Sequence, residues 1–204
     1  MSEPFWQRSL SSIEYDDVAA FIEEQIPEGD QLEYKLPTYN ASNSKFEFTS
    51  EFLETVVAFA NTGGGLIIHG VAEDGTKHPS TIEGIRATAA KQPRDPATVL
   101  RDTCATQSDP PVSLDTKVIE ISAGEQNAGN RILLARVRRG MLPPYNLRMR
   151  RGQGIFIRNG DSDVSASVRE IVELLGRRAP TADSRQTMWQ RTIRNTFTHT
   201  QQHV

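Results

Sequence analysis

The sequence lacks several features that assign a protein to a class at once. Cys104 is its only cysteine, which argues against a disulfide framework and a cysteine-rich zinc site. No apolar run is long enough to span a bilayer, so we expect no membrane segment. The first residues lack the charged and apolar regions of a signal peptide. Together these absences predict a cytoplasmic protein.

Two common catalytic motifs are also missing. The three glycines at positions 63–65 are not followed by the Lys-Thr or Lys-Ser pair of a phosphate-binding P-loop. The sequence has no nucleophile elbow of the α/β-hydrolase type either. It therefore predicts neither a P-loop nucleotide site nor a hydrolase triad.

Acidic residues are absent from one long basic segment. Residues 126–160 contain eight arginines and no Asp or Glu, although the net charge of the whole chain is −3. The planar guanidinium of arginine matches the oxygens of a phosphate, so this segment predicts a polyanionic partner. The alternative is that these arginines simply form a solvated face.

The pattern at residues 50–71 predicts a helix, a glycine turn and a buried strand. Thr49 or Ser50 can cap the helix, and apolar residues recur through it at the spacing of a broad buried face. Residues 66–71 are apolar on both parities, as in a central strand that is covered on both sides. We interpret His69, which lies in this run, as a hydrogen-bonded core histidine rather than a ligand.

We predict one domain at residues 11–178, with a flexible arm before it at residues 1–10. The tail at residues 179–204 is polar, but Trp189, Ile193 and Phe197 recur in it at every fourth position. They would form a thin helical stripe that docks on a partner or on the domain. A disordered tail fits the same composition equally well.

Five charged residues are the candidates for chemistry: Glu28, Glu33, Lys35, Glu73 and Asp74. The alternating sequence at residues 31–36 predicts a strand in which Glu33 and Lys35 share one face. Glu73 and Asp74 follow the predicted central strand. If these strands are neighbours, the carboxylates converge, raise one another's pKa and attract a cation. Mg²⁺ or Mn²⁺ would suit such oxygen ligands. The alternative is that the acids are solvated at strand ends.

Two segments resemble a known family. Residues 28–35, EGDQLEYK, and residues 58–71, AFANTGGGLIIHGV, are similar to the AlbA-2 domain of Schlafen proteins and their prokaryotic relatives. Shorter similar segments follow at residues 82–85, 143–145 and 156–162. The resemblance spans residues 18–175. It implies an α+β fold that has a mixed or antiparallel sheet with flanking helices and that binds nucleic acid.

The resemblance also implies an activity. Some Schlafen proteins are metal-dependent endoribonucleases that cut structured RNA such as tRNA with three carboxylates. Their pattern of Glu, four residues and Glu-Phe-Lys maps onto Glu28, Glu33 and Lys35, with a tyrosine in place of the phenylalanine. The third acid follows a Gly-Val pair, where this sequence has Ala-Glu-Asp. Either Glu73 or Asp74 can therefore be the third acid.

We therefore predict an Mg²⁺- or Mn²⁺-dependent endoribonuclease that acts on structured RNA. Glu28, Glu33 and Asp74 or Glu73 would hold the metal, and Lys35 would steady the scissile phosphate. The arginines expected to bind the nucleic-acid backbone are Arg136, Arg138, Arg139, Arg148, Arg150, Arg151 and Arg158.

The same resemblance leaves the assembly and the activity open to alternatives. Schlafen cores carry two such lobes and this chain has one, so we expect a homodimer. One alternative function is a regulatory module that binds DNA or RNA without cutting it. Another is a metal-dependent DNA nuclease, because Glu33-Tyr34-Lys35 also has the Glu-x-Lys spacing of restriction-type sites.

Overall fold

The computed structural model describes residues 8–42, 46–86, 95–149 and 153–178. Residues 1–7 of the predicted arm lie outside these ranges, and so does the whole tail with its predicted stripe. Arg150 and Arg151, which we expect to bind nucleic acid, also lie outside the described residues.

The described residues form an alternating series of helices and strands. After a 3-10 turn at Leu10–Ser12, the first half has α1 (Tyr15–Glu23), β1 (Leu32–Lys35), β2 (Thr38–Tyr39), β3 (Phe46–Glu47), α2 (Ser50–Asn61), β4 (Gly64–His69), β5 (Val71–Glu73) and β6 (Pro79–Ile82). The second half has α3 (Pro96–Gln107), β7 (Ser108–Asp109), β8 (Leu114–Glu120), β9 (Arg131–Arg138), β10 (Asn146–Leu147), β11 (Phe156–Asn159), β12 (Ser162–Ser165) and α4 (Val168–Gly176).

A four-stranded mixed sheet lies at the centre, with the strand order β1-β4-β9-β8. β1 runs parallel to β4, whereas β9 is antiparallel to both of its neighbours. The ribbons β2-β3, β5-β6, β7-β10 and β11-β12 surround this sheet. The expected α+β fold with a mixed sheet and flanking helices is confirmed. None of the described helices combines the length and apolarity that crossing a bilayer requires.

β4 is buried on both faces, as its apolar sequence predicts. Leu66 and Ile68 pack in an apolar cluster with Phe21 of α1, and Ile67 packs in a second cluster with Phe59 of α2. Burying a side chain of this size contributes about 1.5–3 kcal/mol to folding. The two clusters fix β4, and therefore the neighbouring β1, between the helix layers.

The glycine turn before β4 serves close packing within the chain. Gly64 has a φ of +78°, and a Cβ there would lie 2.7 Å from the backbone oxygen of Val137 on β9. A Cβ on Gly65 would lie 2.6 Å from the ring of Phe59. Gly64 therefore accepts only glycine without strain, and a side chain at position 65 would have to displace the Phe59 ring, because the chain itself occupies the space beside the backbone.

Three local expectations need correction. The capping-box spacing of Ser11 and Glu14 predicts a helix that begins at Ile13, but α1 begins at Tyr15, because Glu14 and Asp17 form the capping box instead. The alternation of polar and apolar residues at 31–36 predicts that Leu36 faces inward, but Leu36 is 46% exposed, since β1 ends one residue earlier. β12 was not expected, because its sequence has little apolar alternation to mark it as a strand.

Candidate functional site

Glu33 lies at the buried bottom of the candidate site. It lies on β1 opposite Ile67 of β4, so its side chain points to the α2 face of the sheet. Its side chain is 2% exposed, and its Oε2 lies 2.5 Å from a terminal nitrogen of Arg158. The Lys35 ammonium pairs with its other oxygen. The guanidinium of Arg158 also pairs with Asp163, at 3.1 Å.

Glu28 lies beside β1, on the edge that faces away from β4. Its Oε1 accepts a hydrogen bond from the Tyr34 N–H at 2.8 Å, and its Oε2 lies 3.2 Å from the Lys77 ammonium. Burial and then the charge of Glu33 raise the pKa of Glu28 to about 7, with a smaller contribution from Glu73. The Tyr34 hydrogen bond acts in the opposite direction. The three glutamates therefore lie close enough to interact electrostatically.

The turn between β5 and β6 separates the two candidates for the third acid. Oε2 of Glu73 lies 3.2 Å from the Lys77 ammonium that also contacts Glu28. The carboxylate of Asp74 instead accepts hydrogen bonds from the Thr76 and His78 N–H groups, at 2.7 and 3.1 Å. A hydrogen bond from the Thr76 hydroxyl, followed by these two backbone bonds, lowers the pKa of Asp74. The structure thus brings Glu73 to the cluster and uses Asp74 to close the turn.

A cavity of about 300 Å³ lies beside the acids. Lys35 and Glu73 line it together with Thr38, Phe52 and His69. Because Lys35 and Glu73 belong both to this cavity and to the acidic cluster, a group bound in the cavity would lie next to the carboxylates.

His69 occupies the core position predicted for it, but it is not hydrogen-bonded as expected. Neither ring nitrogen has a hydrogen-bond partner among the residues that the structure describes. The rings of Phe46, Phe48 and Phe52 surround the imidazole, with centroids 4.9–5.6 Å away. Burial, aided by the charge of Lys35, lowers the pKa of His69 to about 3. The imidazole is therefore neutral at neutral pH.

A comparison with protein-family models shows to which family the chain belongs. The family model described as "Schlafen, AlbA_2" matches residues 28–167, which is more than half of the chain. The chain belongs to the Schlafen AlbA_2 family. The matched residues lie within the predicted domain and include all five candidate site residues.

Comparisons with individual proteins add less to the family assignment. No curated protein matches the Schlafen AlbA_2 chain. Among solved structures, it is similar to the DIP2311 protein from Corynebacterium diphtheriae, with 19% sequence identity and a TM-score of 0.44. That similarity covers 77% of this chain but only 27% of DIP2311. The chain thus spans about a quarter of the length of this structural relative.

The donor set of this Schlafen AlbA_2 domain suits Mg²⁺ or Mn²⁺ in its chemistry. Glu28, Glu33 and Glu73 offer only oxygen ligands. Among the described residues, the buried Oε2 of Glu28 has an ion-pair partner in Lys77 but no hydrogen-bond partner. Nevertheless, within the four described segments no three His, Cys, Asp or Glu side chains are grouped so that they could hold an ion as they stand. Lysine and arginine side chains pair with these carboxylates instead.

Two of the predicted arginines of the Schlafen AlbA_2 domain, Arg138 and Arg139, lie away from the acids. Arg138 lies opposite Gly64 at the start of β4, whereas Lys35 lies opposite His69 at its end. The strand rise makes this separation about 17 Å. Arg138 and Arg139 are exposed, and Arg138 pairs with Asp115 at 2.7 Å.

The other predicted arginines differ in their accessibility. Arg148 is exposed and pairs with Asp109 at 2.5 Å. Arg136 is partly buried and donates a hydrogen bond to the Arg8 carbonyl. Arg158 is 1% exposed, and its guanidinium donates to the Gly29 carbonyl as well as to the acids. In this position Arg158 supports the acidic cluster and offers no surface to a phosphate.

Sequence reasoning missed Lys77 and Asp163 as partners of the cluster. Lys77 follows the Asp-Gly-Thr sequence of the turn. That sequence is typical of an Asp that bonds to its own turn, and it could have indicated that Glu73 rather than Asp74 is available. No sequence signal links Asp163 to Arg158, since their contact depends on the β11-β12 hairpin.

Proposed function

We propose that this domain is an Mg²⁺- or Mn²⁺-dependent endoribonuclease that acts on structured RNA such as tRNA. The observation that carries the proposal is that Glu33 and Glu73 both interact electrostatically with Glu28, while Glu73 and Lys35, the partner of Glu33, line one cavity. Membership of the Schlafen AlbA_2 family supports a nucleic-acid-related role. Clustered carboxylates with an adjacent lysine are suited to phosphodiester hydrolysis.

Each residue has a separable part in this proposal. Glu28, Glu33 and Glu73 would hold the metal ion, which when bound supplies charge stabilisation and an activated water. Lys35 is 29% exposed and lines the cavity, so its ammonium can contact a non-bridging oxygen of the scissile phosphate. Arg158 holds Glu33 in one orientation, and the Tyr34 N–H does the same for Glu28.

The two candidates for the third acid give the first test. We expect Glu73→Gln to slow cleavage of a tRNA roughly 100-fold or more, because it removes one charged ligand of the metal ion that would stabilise charge on the reacting phosphate. Asp74→Asn should retain most of the activity, since Asp74 bonds only to its own turn. Single-turnover cleavage rates with Mn²⁺ measure both effects, and thermal unfolding checks that both variants fold.

A second comparison within this test separates the substrates and the assembly. Wild-type protein and the Glu73→Gln variant are incubated with tRNA and, in parallel, with supercoiled DNA. Cleavage of DNA but not of tRNA would refute the endoribonuclease and indicate a DNA nuclease. Equal activity of Glu73→Gln and wild type would refute the role of Glu73. Size-exclusion chromatography with light scattering gives the molar mass of the protein with and without RNA, which tests the proposed homodimer.

One observation favours a second candidate, a module that binds nucleic acid without cutting it. Each of the three glutamates is already paired with a cation, namely Lys35, Lys77 or Arg158. Such a cluster can be a structural network that never binds metal. This candidate places the function in the exposed arginines rather than in the acids.

The arginines give the corresponding test. We expect the combined change of Arg138, Arg139 and Arg148 to Gln to weaken RNA binding and to lower the log–log salt slope by about 2, at about 0.7–0.9 for each lost phosphate contact. Arg169→Gln is the matched control, because Arg169 is also exposed and paired but lies on α4. Fluorescence anisotropy at several salt concentrations measures the slope. An unchanged slope would show that these arginines do not contact phosphates.

A further inference from the structure

Lys77 is tied to Glu28 through both its backbone and its side chain. It lies in the turn between β5 and β6 with a φ of +65°, a conformation that is uncommon outside glycine. Its carbonyl accepts a hydrogen bond from the Glu28 N–H at 2.9 Å. Its ammonium lies 3.2 Å from Oε2 of Glu28 and 3.2 Å from Oε2 of Glu73. The turn therefore fixes one positive charge between these two acids.

The position of this ammonium matters because a bound divalent ion would need the same carboxylate oxygens. A divalent ion would have to lie within about 2.0–2.6 Å of its carboxylate oxygens. The side chain of Glu28 is 0% exposed, so an ion cannot reach Oε2 from solvent while the ammonium stays in place. Two cations at that position would also repel each other strongly. Lys77 and a metal ion are therefore mutually exclusive partners of Glu28 and Glu73.

We propose that the Lys77 ammonium is a resident cation in the metal position, and that a divalent ion binds by displacing it. This inference rests on the proposed metal-dependent function. The Lys77 side chain is 41% exposed, so it can move into solvent while its carbonyl remains bonded to the Glu28 N–H. The backbone contact keeps Glu28 in place during the exchange. Lys77 is thus a positioning residue that sets the ion concentration at which the site fills.

The first experiment measures ion binding without RNA, so that it does not depend on activity. Mn²⁺ is titrated into the full chain at fixed pH by calorimetry, with free Mn²⁺ followed by electron paramagnetic resonance. We expect Lys77→Met to bind Mn²⁺ about tenfold more tightly than wild type, which corresponds to about 1.4 kcal/mol. Lys77→Gly should behave alike, and it also suits the positive φ of the turn.

Two controls keep this result specific. Lys77→Arg retains a cation and should bind Mn²⁺ nearly as wild type does. Lys117→Met removes a lysine that pairs with Glu14, the N-cap of α1, rather than with an acid of the cluster, and should leave Mn²⁺ binding unchanged. If Lys117→Met tightened binding as much as Lys77→Met, the effect would be one of net charge, and the exchange would be refuted.

A second measurement observes the displacement directly. The chain has only five lysines, so ¹³C-labelled lysine gives a simple spectrum in which each side-chain signal is assigned by substitution. We expect the Lys77 signal to shift during an Mg²⁺ titration, with the same midpoint as binding, and the Lys117 signal to stay. Binding of Mg²⁺ with an unmoved Lys77 signal would overturn the proposal.

The outcomes also separate this inference from the proposed function. If wild type binds Mn²⁺, Glu73→Gln abolishes binding and Lys77→Met leaves it unchanged, the metal site stands and only the exchange fails. If neither wild type nor Lys77→Met binds Mn²⁺, both the exchange and the metal-dependent function are refuted.

Discussion

Glu33→Ala is expected to destabilise the fold by about 3 kcal/mol, apart from any effect on activity, because it leaves a buried charge without its partner. The side chains of Glu33 and Arg158 are 2% and 1% exposed, and their closest atoms are 2.5 Å apart. Asp163 remains near the guanidinium at 3.1 Å, so the compensation is partial. Urea denaturation at pH 7 measures the loss.

A double-mutant cycle identifies the cause of this loss. Because Arg158→Met and Glu33→Ala remove the same ion pair, their effects should overlap, and the double variant should be about 2 kcal/mol more stable than the sum of the two losses predicts. Additive losses would show that the pair contributes little. Glu33→Gln keeps the volume of the side chain and one acceptor, so it is the better variant for cleavage assays.

His69→Phe is expected to stabilise the protein and to remove much of its sensitivity to acid. At pH 7 the change replaces two buried nitrogens that have no hydrogen-bond partner in the part of the chain that the structure describes, which is worth about 1–3 kcal/mol. In wild type the pKa of His69 is about 3 in the folded state, below the usual value of about 6.5. The unfolded chain therefore takes up a proton first as the pH falls.

The sign of the pH effect follows from this difference. Between about pH 6.5 and pH 3, His69 lowers the free energy of unfolding by about 1.4 kcal/mol for each unit of acidification. The advantage of His69→Phe over wild type should therefore grow by about 2 kcal/mol from pH 7 to pH 5. Denaturation at several pH values tests this, and a constant difference would contradict it.

Two comparisons support the interpretation of that profile. Glu28 contributes in the opposite sense: its raised pKa of about 7 means that its stabilising contribution is present below about pH 4.5 and is lost as the pH rises through 7. Taking the difference between His69→Phe and wild type cancels this contribution if the two sites act independently. His78→Gln, in the turn after β5, serves as the histidine control.

The elements with a strong local pattern could be predicted from the sequence. The helix at Ser50–Asn61 has a capping Thr49 and a broad apolar face, and its glycine turn and doubly buried strand follow the expected order. β12 could not be predicted, because its four residues are mostly exposed and pair only with β11. Its contribution depends on tertiary contacts, which local periodicity does not report.

The sequence indicated residues of the candidate site but not their geometry. The resemblance to the Schlafen pattern pointed to Glu28, Glu33 and Lys35, and the Gly-Val pair of that pattern left the third acid open between Glu73 and Asp74. The part of Arg158 could not be read from composition, because an arginine in a basic segment looks solvated until the fold buries it. The contacts of Lys77 with Glu28 and Glu73 likewise depend on the shape of one turn.

The hydrogen bond between Glu28 and the Tyr34 N–H has a consequence for the solubility of the protein. β1 is the outermost strand of the central sheet, and unpaired backbone groups on an outer strand are a template for intermolecular strand addition. Here the chain itself covers that edge, because Gly29 bridges Leu32 and the Glu28 carboxylate accepts the Tyr34 N–H. Glu28→Ala would leave the Tyr34 N–H uncovered, so the substitution that removes a proposed metal ligand should also promote aggregation.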